Sequence, residues 1–369
     1  MLMRIGKMKP AVGKAMEQEA HTAEFEGLIR RSCDMAAGKK HSVFEIPNQI
    51  YPDKKDLLPD YLYKFFPCNA DTILALKAQN LYFSDPGSFN DAYDCKVLID
   101  REYFLAMQIL EDAEILSGSG IITQEDIRHL KEDPSYMKTF RFPGSYNYRQ
   151  KSRALGKDFS SRITDRVRVC CFANITQEHL SVCTEMWGHY AGAQKGFCVR
   201  YDLKKAKEEK DPIQKIINEY ILGALWPCHY GTSPVVIPRV SSYNYACGRP
   251  LSAAQTSSLE KSILKTFTGK SAVWKYENEW RMILDSALVE KSGRMLHFPY
   301  ADRIYLAPSI PRTYRDALVS SAGELGSAIY KCHMDHQKYK YDYDEINIPQ
   351  YLDYMALDRE SVITEMKED

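Results

Sequence analysis

Short stretches with the two-residue period of a half-buried strand recur through the chain at irregular intervals. They are YLYKFF at 61–66, RVRVCCFA at 166–173, GFCVRYDL at 196–203, ENEWRMIL at 277–284, DRIYLAP at 302–308 and AIYKCHMD at 328–335. ALWPCHYG at 224–231 reads as an edge strand because Pro227 cannot donate to a ladder. Helical patterns of unequal length lie between them, at 72–80, 176–191, 204–220, 252–269 and 312–325. No internal repeat and no regular alternation of strand and helix is visible. The pattern predicts an α+β fold, with a mixed, mostly antiparallel sheet and flanking helices, rather than a doubly wound parallel sheet.

Of the 369 residues, 44% are hydrophobic and 12% aromatic, enough for a substantial core. One α+β domain is expected over 60–343. Residues 1–59 are expected as a helical extension followed by an extended linker at 46–60, and residues 344–369 as an acidic tail. The formal net charge is zero, so no global basic field recruits nucleic acid. A short basic groove stays open. The N-terminus lacks the apolar core of a signal peptide, and no run of about 18 apolar residues is present, so a cytoplasmic location without a membrane partner is expected. None of the ten cysteines has Cys-x-x-Cys spacing, and free buried thiols are expected. Cys332, His333 and His336 match no closed zinc set, so no metal ligand is assigned.

The chain contains no GxGxxG, P-loop, HExxH or GxSxG pattern. Three clusters could carry chemistry. In Phe89-Asn90-Asp91-Ala92-Tyr93-Asp94, the polar residues either cap turns, their commoner use, or Asn90 and Asp91 hold a polar ligand at a strand end. In MWGHYA, 186–191, Trp187 and Tyr190 fit a core stripe on a helix, while His189 lies off it, a lone histidine that is either a satisfied structural residue, the commoner case, or a proton-transfer group. In KSAVWKYENEWRMIL, 270–284, strand alternation puts Glu277, Glu279 and Arg281 on one face. That face either looks at water with a weak ion pair, or forms a pair of carboxylates in a cleft whose repulsion Arg281 limits.

These pieces resemble a bacterial family known as domain-of-unknown-function family 2971. That family reads roughly Tyr-Lys-Tyr, Phe-Asn-Asp-Pro-Phe-Asp, Met-Trp-x-His-Tyr-Ala with Gly-x-Cys after it, and Trp-x-Tyr-Glu-x-Glu-Tyr-Arg. The resemblance spans about residues 61–340. Ala92 and Tyr93 replace the usual Pro-Phe, and Trp280 replaces Tyr. The order of elements is also similar to that of ADP-ribosyltransferases, in which a glutamate on a late strand supports charge as a glycosidic bond breaks. That likeness implies Glu279 as catalytic carboxylate, Glu277 orienting the acceptor, and Tyr190 or Trp187 stacking on nicotinamide. It also implies Tyr63 or Lys64 facing the dinucleotide.

The candidate catalytic set is therefore Glu279, Glu277 and His189. The candidate substrate-binding set is Tyr63, Lys64, Phe89, Asn90, Asp91, Trp187, Tyr190 and Arg281. The expected function is an ADP-ribosyltransferase-like or NAD-glycohydrolase-like enzyme with NAD as substrate, an unknown protein or nucleic-acid acceptor, and a defence or toxin role. The competing readings are a nucleotide or nucleic-acid hydrolase with a divalent metal on Asp91, Asp94 and Glu279, and an interaction module without activity.

Overall fold

Eight strands form the central sheet of the computed structural model, which describes residues 11–335 and 337–357. They are β1 (Tyr61–Phe66), β2 (Val167–Ala173), β3 (Phe197–Asp202), β4 (Leu225–Pro227), β5 (Glu279–Asp285), β6 (Ala301–Leu306), β7 (Ala328–Met334) and β8 (Tyr341–Glu345). Their order across the sheet is β8-β7-β6-β3-β1-β2-β5-β4. Every neighbouring pair is antiparallel except β6 and β7. A parallel pair needs a crossover, and the helix Arg312–Leu325 supplies it. The fold is α+β, as the strand and helix pattern predicts.

Both faces of the sheet are covered. On β1, β3 and β6, Leu62, Val199, Ile304 and Leu306 point into the larger core. The alternate residues Tyr63, Phe65, Cys198 and Tyr305 point into a second, tyrosine-rich core with Met186 and Trp187 from the helix Thr184–Tyr190. Residues 101–165 build several helices with a third core of their own around Leu105, Ile109, Leu130 and Met137.

Several local expectations are corrected. The stretch 46–60 is not an extended linker. Pro47 starts the helix Pro47–Lys54, where its missing N–H costs nothing, and Ile50, Tyr51 and Leu58 are buried. The long helix Ala11–Lys39 packs on the helix Ala253–Thr268, placing Phe25, Leu28 and Ile29 in the larger core. KSAVWKYENEWRMIL is not one strand. Gly269–Ser271 pairs with His229–Gly231, 272–277 form a 3-10 turn, and Asn278 takes the left-handed conformation at φ 42°. Asparagine tolerates that region. At the C-terminal end, β8 extends the sheet to Glu345, and Tyr351 donates its hydroxyl to Asp316. The acidic tail beyond 357 and His336 lie outside the described residues. Among the described residues, no helix is long and apolar enough to cross a membrane. All ten cysteines are free.

Candidate functional site

The turn at Asn278 decides the geometry of the site. Its side-chain amide donates to the Asn174 carbonyl at 2.5 Å, and Asn174 N–H donates back to the Asn278 carbonyl at 2.9 Å. The chain thus reverses out of the 3-10 turn directly into β5. Glu277 and Glu279 belong to different elements, yet their carboxylates converge on one ammonium group, Lys270 Nζ. It pairs with Glu277 and lies 2.8 Å from Glu279 Oε2.

Arg281 lies two residues along β5, on the same face as Glu279, and is fully buried. Its guanidinium makes two forked pairs. Nε and one terminal nitrogen donate to Glu279 Oε1 and Oε2 at 2.8 and 2.9 Å. The two terminal nitrogens donate to Asp94 Oδ1 and Oδ2, both at 2.8 Å. A further bond at 2.9 Å reaches the Phe267 carbonyl. Such bidentate pairing is what a buried guanidinium needs to remain charged. Three carboxylates (Asp94, Glu277, Glu279) meet two cations (Lys270, Arg281), leaving one net negative charge when all are ionised.

Their surroundings shift the two glutamates in opposite directions. Burial works to raise Glu279, but Arg281 and Lys270 outweigh it and hold the carboxyl at about 2. Burial raises Glu277 above its ordinary value, and Lys270 and Tyr190 offset only part of that. The Tyr190 hydroxyl donates to Glu277 Oε1 at 2.6 Å. Burial tends to lower Lys270, yet Glu279 and Glu277 push it above the usual ammonium range.

A cavity of about 380 Å³ opens against this network. Sheet register places it. Tyr63 pairs with Ala173 and Ala173 with Glu279, so one row across β1, β2 and β5 forms its floor. Phe65, Phe89, Phe172, Met186 and Tyr190 give it an aromatic and apolar wall, and Lys64, Asn90 and His189 contribute polar groups. This size and lining match small-molecule sites.

Eight of the sequence-selected residues thus border one cavity: Glu277, Glu279, His189, Tyr63, Lys64, Phe89, Asn90 and Tyr190. Three do not. Trp187 is fully buried, edge-on to Phe65 at 5.1 Å, and donates its indole N–H to the Leu180 carbonyl. It is core and has no free face for a ring to stack on. Asp91 accepts from the Trp274 indole at 2.9 Å and from the Tyr93 N–H at 2.9 Å, so it anchors the loop. Arg281 sits behind the carboxylates and positions them. Lys64 donates to the Cys171 carbonyl at 3.0 Å across the sheet.

The sequence reading missed Lys270 and Tyr230. Tyr230 oxygen accepts the Glu279 N–H at 2.8 Å. Neither residue carries a periodic signal that ties it to Glu279. The proposed metal set of Asp91, Asp94 and Glu279 does not form. Asp91 is bonded elsewhere, and the oxygens of Asp94 and Glu279 face Arg281. Among the described residues, no group of three or more His, Cys, Asp or Glu side chains could hold a metal ion.

No curated protein and no solved structure matches the chain. Residues 186–282, from the helix carrying Trp187 and His189 through Arg281 of β5, match the family described as "Protein of unknown function (DUF2971)".

Proposed function

We propose that the chain is an enzyme acting at the glycosidic bond of a nucleotide, in the manner of an ADP-ribosyltransferase or NAD glycohydrolase, with NAD as substrate. The observation that carries this reading is the pair Glu277 and Glu279, two carboxyls on one cavity wall whose environments push their protonation in opposite directions. Such a split assigns different roles to two like groups. Glu279 stays ionised and supports the positive charge that develops on the ribose as the bond to nicotinamide breaks. The bonding electrons leave with the ring nitrogen, so nicotinamide departs neutral. Water or another acceptor hydroxyl forms the new bond to the anomeric carbon, and its proton passes to Glu277. A base raised toward neutrality suits that transfer. Tyr63, Phe89 and Tyr190 offer ring surfaces for the base. An enzyme of this kind would act in the cytoplasm, where NAD is held, and would serve defence or toxicity by draining it.

The test is nicotinamide release from NAD by purified, folded protein, with Glu277→Gln alongside. Glu277→Gln is expected to lower the rate about 10²- to 10⁴-fold, the usual contribution of a positioned acid or base. If folded wild-type protein releases no nicotinamide from NAD and no free base from other nucleotides, the reading fails.

A further inference from the structure

From Lys138 to Lys157 the chain carries six cations (Lys138, Arg141, Arg149, Lys151, Arg153 and Lys157) and no acidic residue, on a chain whose net charge is zero. Most of this stretch lies on the helix Ser145–Asp165. One face of that helix is used by the fold, with Ser152, Gly156, Phe159 and Ile163 buried. Away from it, Tyr146, Arg153 and Lys157 are exposed and Arg149 is half-buried. Positions 146, 149, 153 and 157 are three, four and four apart, the spacing of a single stripe along a helix.

The stripe is not neutralised from within. Among the described residues none of its cations makes an ion pair, and the nearest acid along the helix, Asp158, is paired with Arg162 at 2.9 Å. Arg141 extends the stripe at its N-terminal end. Arg141 and Arg149 donate to the same two carbonyls, Met137 and Phe140, at 2.7–3.2 Å. Two guanidinium groups sharing acceptors lie side by side and repel one another. Burial first, and then Arg141 and Arg153, lower Arg149 from its ordinary value, and Glu102 on the neighbouring helix offsets only part of that. An external anion would relieve this crowding.

We infer that this stripe (Arg141, Tyr146, Arg149, Arg153 and Lys157) is a binding surface for single-stranded nucleic acid. Cations repeating every helical turn, about 6 Å apart, follow a chain of phosphates. Tyr146, 69% exposed among them, supplies the ring on which a base stacks, and stacking on a protein ring is open to unpaired bases. An anionic membrane fits less well. A membrane-surface helix needs a free apolar face, and the aromatic and aliphatic side chains Phe159 and Ile163 are already buried in the fold. None of the stripe's residues lines the cavity, and the inference does not depend on the cavity's chemistry.

The test is binding of fluorescent single-stranded DNA and RNA oligonucleotides, a duplex, and phosphatidylserine vesicles, each at several salt concentrations. Wild type is expected to bind single strands, with log K falling against log salt at a slope of about −3 for four phosphate contacts. Arg153→Ala with Lys157→Ala should reduce that slope to about −1.5. Tyr146→Ala should weaken binding several-fold while leaving the slope unchanged. All three positions are exposed, and the circular dichroism of the variants should match that of wild type. Absence of binding to either single strand at low salt overturns the inference. So does an unchanged slope in the double variant, tighter binding of duplex than of single strand, or vesicle binding without oligonucleotide binding.

Discussion

Two regions of this molecule bury a lysine, and they do it in opposite ways. Lys270 lies among carboxylates, 2.8 Å from Glu279 and 3.9 Å from Asp94 and paired with Glu277, and its ammonium is pushed up. Lys54 is completely buried, and among the described residues no carboxylate pairs with it. It donates to the carbonyls of Gly223 and Leu225 at 2.5 and 2.9 Å, at the C-terminal end of the helix Pro212–Gly223, and its ammonium lies 3.4 Å from the centre of the Trp226 ring. Burial lowers it well below the usual lysine range. Dipoles and a ring face can seat a lysine, but they do not offset the loss of water as formal counter-charges do. Only the first region opens onto the cavity. Structural burial of charge and a chemically usable site are thus separate arrangements in one fold.

The largest expected effect comes from removing the central cation of the charged region. Arg281→Met leaves Asp94 and Glu279 buried without their forked partner and should cost about 3–5 kcal/mol in urea unfolding. Lys54→Met leaves two carbonyls unpaired but also removes a poorly solvated ammonium, and should cost no more than about 2 kcal/mol. Equal losses in the two variants would break the comparison.

Acid sharpens it further. Glu279 sits at about 2 in the folded protein against an ordinary 4.5. Its contribution to stability is complete above 4.5 and is lost as the pH falls toward 2. The stability gap between wild type and Glu279→Gln should shrink over that window. Glu277, raised on folding, works in the opposite direction and favours the folded state once protonated.

Alkaline titration separates the two lysines directly. Between its lowered folded value and 10.5, Lys54 binds more protons when unfolded, so its effect is a stability that rises with pH. Lys270 is raised on folding, so its contribution is lost as the pH rises above 10.5. Unfolding of the Lys54→Met and Lys270→Met variants, measured against wild type through this range, should show slopes of opposite sign. The smallest effect is expected for Trp274→Phe, which removes the indole bond to Asp91 and should cost about 1 kcal/mol of stability.

Much of the architecture was legible because its signals are local. Alternation marked β1, β2, β3, β5, β6 and β7, and the lack of a regular crossover rhythm marked the sheet as mostly antiparallel. Pro47 was misleading. A proline is compatible both with an extended linker and with the first turn of a helix, and only the burial of Ile50 and Tyr51 against the rest of the chain selects the helix. The motifs also brought out eight of the 18 residues lining the cavity, since Tyr63, Asn90, His189 and Glu279 each stand in a recognisable short pattern. Trp187 shows the limit. On a helix of seven residues, periodicity does not say which aromatic ring meets the cavity and which meets Phe65.

By itself, then, the sequence determined the fold class, seven of the eight strands of the central sheet and the short stretches from which a site is built. These depend on side-chain period and turn chemistry over a few neighbours. Tertiary structure alone decided which charges meet. Asp94 and Arg281 are 187 residues apart, and Lys270 reaches Glu277 and Glu279 only because the left-handed turn at Asn278 brings two separate elements together. The protonation of a buried carboxyl is the balance between the water it loses and the charges it gains. Those charges come from distant parts of the chain, so the split between Glu277 and Glu279 exists only in the folded protein.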